Sequence, residues 1–451
     1  MSTELKTARS LNVPDTNLER LVVIGCGFAG LNLVKELKGH KYQVVMIDKH
    51  NYHTFQPLLY QVATAGLEPD SIAYPIRHIF KNQNNFYFRM AQAREVVPER
   101  NILKTSIGEI EYDHLIIATG SSTNYFGMDK VEKHALPMKN VPEALNLRSI
   151  ILQNFEAASL TSDLEERERL MNFVIIGAGP TGVEMAGAMA ELRNHVLPRD
   201  YPDLDFRRMS IHLVEMMDRV LPPMSEHASR KSQNYLELLG VNIWLNTQVK
   251  DYDGQLVITN RKDLPAYTCL WTAGVKGSLI PGLKEGRDYE KGRFLVNHYH
   301  QVGNFENIYA LGDVAAMIDE ENPKGHPMLA QVAIQQGKNL ADNLKASLRG
   351  KGWQEFQYRD LGTMATIGRN KAVADLGRLK FSGFIGWFLW MTVHLRSLVG
   401  FRNRIVVLIN WVINYFSYDK KIRLIIRPVV RMQRKPRGVE LQKTEVLESG
   451  D

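Results

Sequence analysis

The chain of 451 residues has only two cysteines, Cys26 and Cys269, and neither belongs to a C-x-x-C pair. That excludes a disulfide framework and a thiolate metal site, and no His, Asp or Glu grouping has metal-ligand spacing either. Long apolar runs are also missing. The greasiest stretch, residues 381–418, is interrupted by Arg396, Arg402 and Arg404, and its uncharged runs at 381–395 and 405–418 hold 15 and 14 residues. A helix crossing the hydrocarbon needs about 20, so two short amphipathic helices lying in a membrane interface are expected. A single span over 381–401, with Arg396 snorkelling, is the alternative. Acid is scarce in the same region: residues 396–437 carry eleven Lys or Arg against Asp419 alone, +10 in a chain of net charge +7. No apolar block precedes Leu21, so no secretory signal is expected and the catalytic part is placed on the cytoplasmic face of the cell membrane.

The 44% hydrophobic content is that of a globular protein, and the length allows two or three domains. The basic C-terminal stretch suits an anionic lipid surface. Nucleic acid is the competing partner, but Trp, Phe and Leu here form long runs instead of isolated stacking platforms, which argues against it.

Two glycine turns carry the strongest local signal. In RLVVIGCGFAGLNLVKEL an apolar strand enters Gly25-x-Gly27-x-x-Gly30 and a helical pattern follows; a second strand, YQVVMIDK, ends at Asp48, 23 residues after the first glycine. Strand, glycine turn, helix, strand and acid is the dinucleotide-binding arrangement. Gly25 permits the tight turn, Gly27 lets backbone approach a pyrophosphate, Gly30 lets helix and strand pack, and Asp48 can accept from ribose hydroxyls. A second copy, NFVIIGAGPTGVEMAGAMAEL, has Gly177, Gly179 and Gly182, and its next strand ends at Glu215 after a longer, polar crossover. Glu215 favours free ribose hydroxyls over an extra phosphate. Two turns imply two dinucleotides and an α/β chain with two doubly wound nucleotide-binding domains. HLIIATG (114–120), CLWTAG (269–274) and IYALGD (308–313) each join a strand to a small-residue turn. Asp313 is expected both to cap a helix and to hold a ribityl hydroxyl.

The order GxGxxG, ATG, GxGxxG, GD resembles the two-dinucleotide-binding-domain flavoproteins. The strings DKHNYHTFQPLLYQVATAGL (48–67) and AQVAIQQG (330–337), with the amphipathic C-terminal segment, narrow the resemblance to the type II NADH:quinone oxidoreductases. That resemblance implies FAD in residues 19–125 and 290–375, NADH in 126–289, membrane-binding helices in 376–437, and a flexible N-terminus (1–18) and tail (438–451). It implies a hydride from NADH to FAD, then two electrons to a membrane quinone, without proton pumping. FAD contacts are implied at Gly25, Gly27, Phe28, Ala29, Gly30, Asp48, Ala93, Ala118, Thr119, Gly120, Asp313, Gln331 and Val332. NADH contacts are implied at Gly177, Gly179, Pro180, Thr181, Gly182, Glu184, Glu215, Ala273 and Gly274. A homodimer is possible. Flavoproteins of this kind that reduce disulfides or pass electrons from sulfide to quinone need a cysteine pair, which is absent here, and a soluble protein acceptor would not need the apolar tail. A soluble-acceptor NAD(P)H reductase and a non-enzymatic NADH-responsive flavoprotein docking on membranes are the alternatives.

Aligning the two turns sets Asn32 against Glu184. An acid in a first helical turn suits the helix dipole, but here it would face a pyrophosphate. The resemblance makes Glu184 a residue beside nicotinamide and flavin that assists proton and charge transfer. Gln331 and Gln335 share one face of a helix beginning near Ala330 and, by resemblance, line a quinone tunnel. Lys371 matches a basic position near that site only loosely. His53 reads as a structural histidine, with general acid for quinone as the alternative. In the C-terminal segment Phe384, Trp387, Phe388, Met391, Leu395 and Leu398 share one helical face, as do Ile405, Leu408, Ile409, Val412 and Phe416, opposite Asn410, Asn414 and Ser417.

Overall fold

Valine- and isoleucine-rich strands with no polar face can only be buried on both sides, which is the condition for parallel sheets covered by helices. In the computed structural model, which describes residues 11–284, 286–417 and 422–425, they form two such sheets. The first unit runs β1 (Glu19–Ile24), α1 (Phe28–Glu36), β2 (Tyr42–Asp48), the short α2 (Leu59–Ala63), β3 (Phe86–Met90) and β4 (His114–Ile117). After β5 (Ser121–Thr123) the chain enters the second unit through α3 (Val141–Leu160). This unit comprises β6 (Phe173–Ile176), α4 (Pro180–Glu191), β7 (Ile211–Val214), β8 (Asn242–Trp244) and β9 (Thr268–Trp271). It returns through β10 (Val275–Gly277), which pairs antiparallel with β5, and re-enters the first unit at β11 (Ile308–Ala310) and α5 (Ala330–Ser347). The first sheet has the order β11-β4-β1-β2-β3 and the second β8-β7-β6-β9, all parallel.

The chain ends in a three-stranded antiparallel sheet, β12 (Thr363–Gly368), β13 (Lys371–Leu376) and β14 (Leu379–Ser382), followed by α6 (Gly383–Ser397) and α7 (Phe401–Ser417). β12, in a stretch expected with the first dinucleotide domain, packs on α4 of the second unit. Gly187 of α4 makes this possible, since a Cβ there would lie 1.9 Å from the Ile367 carbonyl oxygen.

On α6 the stripe expected to face the membrane is divided: Phe384 and Phe388 are exposed, but Trp387, Met391 and Leu395 pack against the core and Leu398 is buried, while Trp390, left off the stripe, is only 2% exposed. Gly386 decides the docking side: a Cβ there would sit 2.8 Å from the Ala372 carbonyl oxygen, so the helix backbone presses on β13 and the Trp390 ring enters the core. On α7 the expected stripe of Ile405, Leu408, Ile409, Val412 and Phe416 is exposed. Its inner side, with Asn403, Val407, Trp411 and Asn414, docks by hydrogen bonds: Trp411 Nε1 donates to Gln61 Oε1 (2.8 Å), Asn414 Nδ2 to Gly66 O (3.2 Å) and Asn403 Nδ2 to Asp70 O (3.0 Å). Among the described residues no helix is long and apolar enough to cross a membrane. Much of the basic run after Ser417, and the 1–10 and 438–451 termini, lie outside the described residues.

Candidate active site: twin glycine turns and an aromatic pocket

The two glycine turns are built alike. Gly25 and Gly177 have φ of +102° and +98°, where an L side chain is strained. Each donates its N–H to the second strand of its unit, Gly25 to Ile47 O and Gly177 to Val214 O, both at 2.8 Å. The third glycine is sterically required: a Cβ on Gly30 would lie 2.0 Å from Gly25 O, and on Gly182 1.9 Å from Gly177 O. The acid ending the second strand brackets each turn. Asp48 accepts from the Cys26 amide (2.7 Å) and the His50 amide (2.8 Å); Glu215 accepts from Ala178 (2.7 Å) and Met217 (2.9 Å). Burial raises the Asp48 pKa, with the two amides opposing.

Both turns fit a dinucleotide. α1 and α4 begin at Gly27 and Gly179 without a side-chain cap, so the first-turn amides face outward, and no atom lies within 4 Å of where a Cβ on either glycine would stand. Phe28 and Pro180 are half-buried, Ala29 buried and Thr181 exposed. Around the first turn, the Ala118 carbonyl closes on Gly25, Thr119 Oγ1 donates to Ser278 O (2.7 Å), and Gly120 has φ +69°. Ala93 packs on the cluster holding Ile24 and Ile47, and Val332 is buried in the first turn of α5. Ala273 backs onto Gly177, and Gly274 lies next to it under the ring of Phe126.

Asp313 caps no helix. Its turn is a three-residue 3-10 turn leading into a strand, and its Oδ2 accepts from Ser121 Oγ (2.5 Å), which accepts in turn from Lys139 Nζ (3.0 Å). Burial lowers the Lys139 pKa, with Asp313 and Glu143 opposing. Lys139 stands in no motif, and only the folded chain brings it here.

Glu184 lies past the first turn of α4, not within it, and its carboxyl meets Thr366 in a pocket that the glycine turn does not line. It is buried in a pocket enclosing about 820 Å³, open mouth included, whose wall comes from α2 (Tyr60, Gln61), β12 and the turn after it (Thr366, Arg369), α6 (Trp387, Trp390) and α7 (Trp411, Tyr415). Thr366 N donates to Glu184 Oε1 at 3.4 Å. Burial pushes the carboxyl up to about 8, against the smaller pull of that amide and of the Trp390 indole, whose Nε1 makes no regular hydrogen bond. Glu184 is therefore largely a neutral acid at pH 7. Beside it Gln61 Nε2 donates to Tyr60 Oη (2.8 Å), and burial with the nearby Glu184 raises the Tyr60 pKa.

The glutamines of α5 do not wall this pocket. Gln331 Oε1 accepts from Leu361 N (3.0 Å) and its amide donates to Gly362 O (3.2 Å); Gln335 exchanges both bonds with the Arg359 backbone (2.8 and 3.0 Å). They clamp the segment leading to β12. Lys371 is likewise outside the wall. The basic group at the mouth is Arg369, whose guanidinium donates to Asn414 O (2.6 Å) and lies over the Tyr415 ring. His53 Nδ1 donates to Cys26 O (2.8 Å), and burial holds its pKa near about 4, so it is a neutral histidine bracing the glycine turn. Cys26 and Cys269 are buried in different cores. Among the described residues no His, Cys, Asp or Glu group could hold a metal.

Residues 19–337 match the pyridine nucleotide-disulphide oxidoreductases, and residues 361–417 match the NDH2 C-terminal domain. The class is thus that of the two-dinucleotide flavoproteins, without the dithiol its name advertises. The chain is 36% identical to the type II NADH:quinone oxidoreductase Ndh of Mycobacterium tuberculosis, covering 88% of each, and 35% identical to NdhA of that organism, covering 88% of this chain and 87% of the other. In fold it is similar to NDH2 of Plasmodium falciparum in complex with NADH, with a TM-score of 0.84, 22% identity, and 91% and 100% of the two chains covered. The chain belongs to the type II NADH:quinone oxidoreductases.

Proposed function

We propose that NADH binds across the second glycine turn, that the first turn holds FAD, and that the aromatic pocket around Glu184 receives the quinone head. The activity is NADH:quinone oxidoreduction without proton pumping. FAD, when bound, supplies the two-electron carrier between the substrates. The first turn suits it: uncapped amides for a pyrophosphate and, beside them, Asp48 and the Ser121–Asp313–Lys139 cluster for hydroxyls.

The observation that carries the reading is a buried, largely protonated carboxyl in a pocket walled in part by two helices whose other faces are apolar and exposed. A quinone taking two electrons also takes two protons, one accounted for by the hydride that leaves NADH and one drawn from the medium. Glu184 can donate one to a quinone oxygen and be reprotonated from the pocket mouth, with Tyr60 and Gln61 fixing the polar side of the wall. Gln331 and Gln335 act indirectly, by positioning the chain that leads to Thr366.

Phe384, Ile385, Phe388 and Val393 on α6, and Ile405, Leu408, Ile409, Val412 and Phe416 on α7, form the surface that rests in the bilayer, at its cytoplasmic face, with Arg396, Arg402 and Arg404 for anionic headgroups. A lipid-soluble substrate then enters the pocket from the acyl region. The test is oxidation of NADH by a long-tailed quinone in liposomes against a short-chain quinone in buffer. Equal rates after the apolar face is made acidic would overturn the membrane entry, and activity only with a soluble protein carrier would overturn the quinone pocket.

A further inference from the structure

Phe126 is a bulky residue with φ +53°, a conformation few non-glycine residues adopt, and it is 61% exposed. The φ belongs to a tight turn with Gly127 (φ +77°), closed by Met128 N donating to Tyr125 O (3.0 Å); the exposure of so large a ring is what packing leaves unexplained. The backbone is held there by side chain and loop: Phe126 N donates to Asn124 Oδ1 (3.0 Å), Asn124 N to Gly274 O (3.1 Å), and Trp271 Nε1 to Asn124 O (2.8 Å). The held ring lies on Gly274, so close that a Cβ there would be 2.6 Å from Phe126 Cζ. Strain of this kind persists where surroundings over-determine it, and it gathers at ligand sites.

The strand order says which part of a ligand is near. Glu215 follows β7, the Gly177 turn follows β6, and Ala273 and Gly274 follow β9, three neighbouring strand ends in that order. A dinucleotide with one ribose at Glu215 and its pyrophosphate at the Gly177 turn carries its other half toward the strand end at Gly274, where the Phe126 ring, seated on Gly274, offers its exposed outer side. We propose that Phe126 is a binding residue for the nicotinamide half of NADH, an aromatic wall pre-set on Gly274 against which that half stacks. The proposal rests on the second glycine turn being the NADH site.

Calorimetric titration of the FAD-loaded protein with NAD⁺ and, separately, with ADP tests both. Stacking of a base on an aromatic side chain predicts that Phe126→Ala and Phe126→Leu weaken NAD⁺ about tenfold and ADP less than about twofold, while Phe126→Trp keeps NAD⁺ within about threefold of the parent. Unchanged NAD⁺ affinity in Phe126→Ala, or equal weakening of NAD⁺ and ADP, overturns the role. Gly179→Val separates the underlying reading: its side chain enters the open cradle at an ordinary φ of −69°, so it is expected to abolish binding of both ligands. If Gly179→Val binds both normally, the cleft itself is misassigned. Flavin content and the thermal midpoint report folding, and Phe126→Leu remains interpretable if Phe126→Ala is unstable.

Discussion

The Gly25 and Gly177 turns have the same φ at the first glycine, the same strand hydrogen bond and the same carboxylate bracket, yet the eighth residue of each does opposite things. Asn32 closes on its own helix, Nδ2 donating to Phe28 O at 2.7 Å, whereas Glu184 reaches out of its helix into a pocket. The neighbours make the difference. α1 is pressed by α5, where a Cβ on Gly337 would lie 2.5 Å from Ala29 O, and α4 is pressed by β12 through Gly187. One copy is thus sealed by a helix, while the other meets a sheet edge, α2 and the aromatic side of α6, which leave a cavity. The cradle is duplicated, and the copies differ in what covers them; on the proposed function, the cradles take phosphates and the chemistry sits where the covering differs.

The largest expected effect removes that asymmetry. Glu184→Gln keeps the shape but loses the acid, and should lower kcat with quinone by about 100-fold, the low end for a general acid, while flavin content is unchanged. Turnover with ferricyanide, which takes no proton, should survive; equal loss with both acceptors would refute the proton role. In the parent, quinone turnover should fall as pH rises through about 8, where Glu184 ionises. Stability follows the same group. Its folded pKa is raised, so the stabilisation relative to the ionised state is full below about pH 4.5 and is lost progressively up to about pH 8, by a few kcal/mol. Glu184→Gln should flatten that slope in denaturation midpoints measured from pH 5 to 9.

Next in size are Gly30→Ala and Gly182→Ala, which break the two turns separately. Each Cβ would meet backbone oxygen at about 2 Å, so each should cost about 1–3 kcal/mol in local stability. The first should empty the protein of flavin. The second should leave flavin bound but raise the NADH KM at least tenfold. Loss of flavin in both would show that the copies do not hold different ligands.

The turns were legible because everything that dictates them is local: strand, glycine spacing, helix and an acid one strand later. The environment of Glu184 was not, since Tyr60, Thr366 and Trp390 come from three distant parts of the chain. The same holds for Lys139 on Ser121 and Asp313. The spacing of Gln331 and Gln335 correctly put them on one face, but the irregular backbone at 359–362 that they grip has no pattern to read. On α6, counting apolar residues around a wheel missed that Gly386 chooses the docking side. A truncation before α6 would also strip Trp390 from the core, so point substitutions are the cleaner probe of the membrane face.

Those substitutions come third. Phe388→Glu with Ile409→Glu places two charges on the exposed faces of α6 and α7, leaving Trp390 and Trp411 docked. Sedimentation with anionic vesicles should fall by about tenfold or more, and long-tailed quinone turnover in liposomes with it, at unchanged short-chain activity. A parallel loss with the short-chain quinone would place the damage in the pocket instead.

The smallest effect belongs to the bond that ties the exposed helix pair to the Glu184 side. Trp411 Nε1 donates to Gln61 Oε1, and Gln61 Nε2 donates to Tyr60 Oη, so α7 holds α2, and among the described residues no such bond ties α7 to α1. Trp411→Phe keeps the ring and deletes the donor, leaving a half-buried amide oxygen short of one partner. The expected cost is about 1 kcal/mol. It should appear as faster hydrogen exchange of the amides of α2 with those of α1 unchanged. A double-mutant cycle with Gln61→Leu should return a coupling of similar size. Coupling indistinguishable from zero would mean that α7 stays on the body through its other contacts, the Asn403 and Asn414 hydrogen bonds and its apolar side chains, and that the pocket wall at Tyr60 is set without the Trp411 bond.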